Sequence, residues 1–119
     1  MTTFRATFEF QIDVNFVDRE KAEQFFLESD WKNHFFDFND LDDAAEHLAI
    51  NFHKYDARYE DGKQWKHIEG FGSYYLDRHA NVWRLTRDLL KNGEDLPCGD
   101  VIIKYEMETD CTDITQFEH

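Results

Sequence analysis

Residues 4–16 alternate between apolar and polar without an exception. Phe4, Ala6, Phe8, Phe10, Ile12, Val14 and Phe16 occupy one set of positions; Arg5, Thr7, Glu9, Gln11, Asp13 and Asn15 occupy the other. Side chains on a strand point to opposite faces in turn, so this period of two predicts one long β-strand with a core face and a water face. A slip of one residue would bury Glu9 and Asp13, so the register is firmly set. The water face is acidic, and the whole chain carries a net charge of −13.

A charge this large does not imply disorder here. Aromatic residues make up 17% of the chain and include twelve Phe, far more apolar material than a solvated acidic tail contains. At 119 residues the chain is expected to form a single domain, 1–119, around one core. No run of apolar residues approaches the length of a membrane span, and Met1-Thr2-Thr3-Phe4-Arg5 has no signal-peptide character. Cys98 and Cys111 lack CxxC spacing, which points to reduced thiols and a cytoplasmic location, the host cytoplasm if the chain is phage-encoded.

The pattern after the first strand predicts three helices. Asp18 is placed to cap a helix over 18–29 with Ala22, Phe25 and Phe26 on one face. Residues 30–38 are ring-dense and aperiodic, a tight helical turn or a loop over the core. Leu41, Ala44, Ala45, Leu48, Ala49 and Phe52 then recur at helical spacing after Asn39 or Asp40, an amphipathic helix over 40–54. Asp61-Gly62 signals a two-residue hairpin between 56–60 and 63–69. Residues 73–92 admit a hairpin around Asp77–Asn81, but polar positions 77, 78, 81, 84, 87, 88 and 91 repeat at helical spacing. With Ser73 as N-cap, Lys91 in the last turn and Gly93 at C′, a helix is expected there. Val101, Ile103, Tyr105 and Met107 alternate with Ile102, Lys104, Glu106 and Glu108 as a further strand, and the last residues fray or add an edge segment. The expected fold is α+β: a small, mainly antiparallel sheet of three to four strands with about three helices on one face.

Chemical motifs are scarce. Six histidines (34, 47, 53, 67, 79 and 119) include no HExxH pair, and Asp43 with His47 at i, i+4 is at most a weak surface site. Asp37–Asp43 begins like a calcium loop, but Leu41 and Asp42 replace a ligand and the obligatory glycine, and Leu48 stands where a glutamate is needed. Neither Ser29 nor Ser73 lies in a nucleophile elbow. Gly70-Phe71-Gly72-Ser73 lacks both GxGxxG and a Walker lysine. No catalytic residue, cofactor or metal is therefore nominated, and the chain is expected not to be an enzyme.

The charge is regional. Residues 1–56 hold thirteen acids against five bases, 57–91 hold five against seven, and 92–119 hold eight against one. Such a surface disfavours direct nucleic-acid or membrane binding and suits a basic protein partner. The leading expectation is a protein-binding module that inhibits or regulates a nucleic-acid-binding protein, by mimicry of a phosphate backbone. In size and composition it is similar to small acidic phage-encoded inhibitors of restriction, CRISPR or repair enzymes. Glu9, Asp13, Asp40, Asp43, Glu46, Glu106 and Glu108 would form the acidic array, and Trp31 and Phe36 its apolar centre. Two alternatives stand beside this. One is a small enzyme or ligand-binding domain with a pocket under Trp31–Phe38 and His34, His67 or His79 in it. The other is an antitoxin or immunity-type protein. A further alternative is that the carboxylates only keep a ring-rich chain soluble.

Overall fold

A computed structural model of the chain describes residues 1–86, 97–107 and 113–118. It contains eight strands: β1 Thr2–Thr7, β2 Phe10–Phe16, β3 Arg58–Glu60, β4 Lys63–Ile68, β5 Gly72–Asp77, β6 Val82–Leu85, β7 Val101–Met107 and β8 Asp113–Glu118. Between β2 and β3 run α1 (Arg19–Glu23), a π-helical turn (Gln24–Glu28), α2 (Trp31–His34) and α3 (Leu41–Lys54). The strands form two antiparallel sheets, one of six strands in the order β2-β7-β6-β5-β4-β3 and one of two, β1-β8. The expectation of three to four strands under three helices is thus overturned: the molecule is mostly sheet.

Much of that error lies in residues 73–92. Gly72–Asp77 and Val82–Leu85 are strands of a hairpin, and the expected helix is absent from the described part of this segment; residues 87–92 lie outside it. The deciding chemistry is in the turn. Asp77 Oδ1 accepts from the backbone N–H groups of His79 and Ala80, and Asn81 takes a positive φ of 54°. An Asx turn followed by a left-handed asparagine reverses the chain. Ser73 caps nothing; it lies on β5, and the glycines before it lead into a strand. At the other hairpin Asp61 and Gly62 have φ of 53° and 75°, the double positive-φ geometry of a type I′ turn that Asp-Gly favours.

The unbroken alternation of residues 4–16 also ends in two strands. β2 pairs with β7 from Phe16↔Val101 to Phe10↔Met107, whereas β1 pairs with β8 from Thr7↔Asp113 to Thr2↔Glu118. Two residues, Phe8 and Glu9, separate β1 from β2, whereas five positions separate β7 from β8, so one ladder cannot run in register through both pairs. As a result β1 is exposed along its whole length, and Phe4 and Phe8 keep 63% and 52% of their surface in water instead of entering the core.

Helix α3 closes the inner face of the large sheet. Asp40 Oδ1 accepts from the Asp43 N–H, and Asp43 Oδ2 from the Asn39 N–H, so two carboxylates satisfy donors at the helix start. Ala44, Leu48 and Phe52 are fully buried against an inward row that includes Trp83, Ile103 and Tyr74. The Phe52 ring meets Trp83 edge-on at 5.2 Å between centroids. Burying each large side chain of this kind contributes about 1.5–3 kcal/mol. Lys66, the one inward-pointing cation of β4, donates from Nζ to the Phe52 carbonyl at 2.7 Å and lies over the Phe52 ring at 4.4 Å. Burial lowers its pKa, while the carbonyl it reaches is one of the last, unpaired carbonyls of α3.

Candidate functional site

Among the described residues the helices cover one face of the six-stranded sheet and leave the other open. Register fixes what the open face carries. Arg58 lies opposite Trp65, Trp65 opposite Tyr75, Tyr75 opposite Arg84, Arg84 opposite Ile102, and Ile102 opposite Asn15. One row across the sheet therefore reads guanidinium, indole, phenol, guanidinium, isoleucine, amide. Trp65 Nε1 donates to the Glu60 carbonyl at 3.1 Å, which pins the indole across its hairpin. Its ring centroid is 5.6 Å from that of Tyr75, and Lys63 Nζ sits 4.8 Å from the centroid of the Tyr75 ring.

Carboxylates on this face are matched by cations. Arg84 Nε donates to Asp77 Oδ2 at 2.9 Å, and this bond, with the Ala80 N–H, holds the Asp77 carboxyl below the ordinary carboxylate range. Lys104 Nζ lies 2.9 Å from Glu106 Oε1, which raises the pKa of the ammonium. Asp13 faces Lys104 across the β2–β7 ladder. Two depressions flank the Trp65 indole. One, of about 340 Å³, lies between Lys63, Trp65, Tyr75, Arg84, Asp100 and Ile102; the other, of about 260 Å³, includes Arg58, Glu60 and His67.

The helical layer differs. Residues 18–54 carry ten acids against four bases, and Glu20, Glu28, Asp37, Asp40, Asp42 and Glu46 are all exposed. Asp30 is held below its usual range by hydrogen bonds from Asn33 and His34. The nominated array is thus divided. Asp40, Asp43 and Glu46 lie on α3; Asp13 and Glu106 lie on the open sheet face; Glu9 is exposed between β1 and β2; Glu108 lies outside the described residues. Trp31 belongs to the core: it is 7% exposed, its Nε1 donates to the Gly70 carbonyl at 2.8 Å, and Phe26, Phe35, Phe38 and Phe71 surround it. Phe36 is half-buried with its ring 4.1 Å from that of His47.

Among the described residues the histidines do not converge. His34 pairs with Asp30, His47 is packed among rings, and His53 stacks on Phe10 while its Nδ1 lies 3.2 Å from the Tyr105 hydroxyl. His67 Nδ1 shares a 2.8 Å hydrogen bond with Ser73 Oγ across β4 and β5, on the exposed face. Among the described residues no acid bonds to the other nitrogen of that imidazole. No group of three or more His, Cys, Asp or Glu among the described residues is arranged to hold a metal. Cys98 is buried, its thiol donates to the Gly99 carbonyl, and burial raises its pKa to about 11, the opposite of an activated nucleophile.

Sequence reasoning missed the Arg58–Trp65–Tyr75–Arg84 row. Reading 73–92 as a helix scatters Tyr75 and Arg84 around a cylinder. The usable signal was the weaker alternation in Tyr74-Tyr75-Leu76 and Val82-Trp83-Arg84-Leu85, with a turn-forming Asp and Asn between them.

Fold and surfaces together define a class: an antiparallel sheet under one helical layer, with two chemically distinct exposed faces and no assembled catalytic centre among the described residues. No protein-family model, curated protein or solved structure matches the chain. No helix among the described residues is long and apolar enough to cross a membrane.

Proposed function

We propose that the protein is a small acidic binding module whose helical layer docks on a basic surface of a nucleic-acid-handling protein and thereby regulates or inhibits it. The observation behind this reading is the separation of charge. On the open sheet face Asp13, Glu60, Asp77 and Glu106 share their surface with Arg58, Lys63, Arg84 and Lys104, whereas residues 18–54 hold ten acids against four bases. The helical layer thus carries an unbalanced net −6, a field that attracts a cationic partner to that layer. Asp40, Asp43 and Glu46 advance about 4.5 Å apart along the helix axis, close to the roughly 3.4 Å between phosphates along one strand of a duplex.

Calorimetric titration against a panel of purified nucleases and CRISPR effectors tests the proposal. The expected result is binding to at least one of them that weakens steeply with added salt. Asp42→Asn with Glu46→Gln, two exposed positions that do not cap α3, should weaken it about tenfold while leaving the melting temperature unchanged. Binding insensitive to salt and to this double substitution, or no binding across the panel, overturns the proposal.

A further inference from the structure

The open face carries a second, different surface, and its chemistry points away from a basic partner. We propose that the depression between Lys63, Trp65, Tyr75 and Arg84 binds a planar aromatic anion of the nucleoside monophosphate type. The inference stands on the geometry of the sheet and does not depend on the helical layer.

Several features agree. The cavity, about 340 Å³, falls at the small end of the roughly 300–1,000 Å³ typical of small-molecule sites. Its floor is made of two half-buried rings, Trp65 and Tyr75, held by cross-strand pairing, with the indole fixed further by its bond to the Glu60 carbonyl. Every nucleobase has a π face, so stacking on such rings is tolerant of base identity. Two cations stand at the rings, Lys63 over the Tyr75 face and Arg84 beside it on the neighbouring strand. Asp77 takes the Nε–H of Arg84 and so holds the guanidinium along the sheet surface. A guanidinium has five N–H donors, and its fork matches a phosphate. Rings and cations within a single cavity match base and phosphate.

The charge of the whole chain limits the size of the ligand. A net −13 repels a long polyanion, whereas a single phosphate can pair at contact with the Lys63 ammonium and the guanidinium fork of Arg84. The proposal is therefore a mononucleotide and not a nucleic-acid strand.

Tryptophan fluorescence gives a direct readout, because Trp31 and Trp83 are 7% and 8% exposed while Trp65 alone lies on the open face. Titration of the full chain with adenosine 5′-monophosphate should give saturable quenching with a Kd of about 0.01–1 mM. Adenosine and inorganic phosphate should each bind about tenfold more weakly or worse, since each lacks half of the recognised chemistry. Lys63→Met should weaken the nucleotide about tenfold by calorimetry, and Trp65→Phe should abolish the quenching. Arg84→Lys keeps the charge next to Asp77 and should still lose several-fold through the missing fork. No saturable quenching by the nucleotide up to about 10 mM overturns the proposal. So does equal affinity for adenosine, or undiminished quenching in Trp65→Phe. A six-nucleotide oligoadenylate binding more than about a hundredfold tighter would replace the mononucleotide with a single strand as the ligand.

Discussion

Phe52 and Trp65 are both large aromatic residues on or against the same sheet, yet they occupy opposite chemical settings. Phe52 is fully enclosed between α3 and the inward row, with Trp83, Tyr74 and the Lys66 ammonium around it. Trp65 lies on the open face, ringed by charged side chains and facing solvent on one side. The contrast teaches that aromatic content does not locate a site by itself. The pattern of partners does: rings packed on rings make a core, and rings alternating with cations make a surface able to recognise something.

Substitution separates the two directly. Phe52→Ala should cost about 3–5 kcal/mol in denaturant unfolding, because it leaves a cavity against α3 and strips the ring from beneath Lys66. Trp65→Ala should cost less than half as much, since only part of its surface is withdrawn from water. Equal losses would mean that the open face is structural rather than a recognition surface.

Smaller effects refine the picture at the margins of the covered layer. Cys98 lines an apolar cleft with Phe25, Phe26, Phe71 and Leu85. Its pKa rises from the ordinary 9.0 to about 11, so folding disfavours the thiolate. The associated stability is complete below pH 9.0 and is lost as pH climbs through about 11, up to about 3 kcal/mol in all. Thermal melts of wild type and Cys98→Ala across that window should converge as pH rises, and native-state alkylation at neutral pH should leave Cys98 unmodified. A thiol that reacts at neutral pH would place it on an accessible surface and refute this assignment.

The least costly change is at the start of α3. Asp40→Ala removes the bond to the Asp43 N–H and should cost about 1 kcal/mol, read as a shift in the urea midpoint. Asp42→Asn, one turn position that caps nothing, should stay within about 0.5 kcal/mol. A larger loss at Asp42 would show that the acidic layer is also holding the fold together.

Legibility followed the range of the interactions involved. α3 was readable because its evidence is local: an aspartate cap, an apolar stripe from Leu41 to Phe52, and polar residues between. The Asp61-Gly62 hairpin was readable for the same reason. The Phe8–Glu9 break was not, because its cause is the spacing on a partner strand a hundred residues away. Tyr75 and Arg84 were misplaced because polar positions across a four-residue turn happened to fall at helical intervals, and turn chemistry at Asp77 and Asn81 prevailed over them. The acidic residues were visible as a total. Which of them are neutralised depends on strand neighbours such as Lys104 beside Asp13, and adjacency across a sheet is not written in either strand alone.

The pairing of β2 with β7 sets the order in which this molecule can assemble. β3 to β6 form successive hairpins whose partners are a few residues apart, and such hairpins form within microseconds. β2 instead waits for a partner that begins at Val101, so a strand that precedes every hairpin in the chain is among the last to find its place. Until β7 arrives, Ile12, Val14 and Phe16 lie against an unfinished edge. Closing that distance is entropically costly and makes folding slow for a chain of this size. Shortening the wait, by a circular permutation that joins residue 119 to residue 1 and opens the chain ahead of Val101, leaves only β8 and β1 between β7 and β2 and should speed folding without altering either face of the sheet.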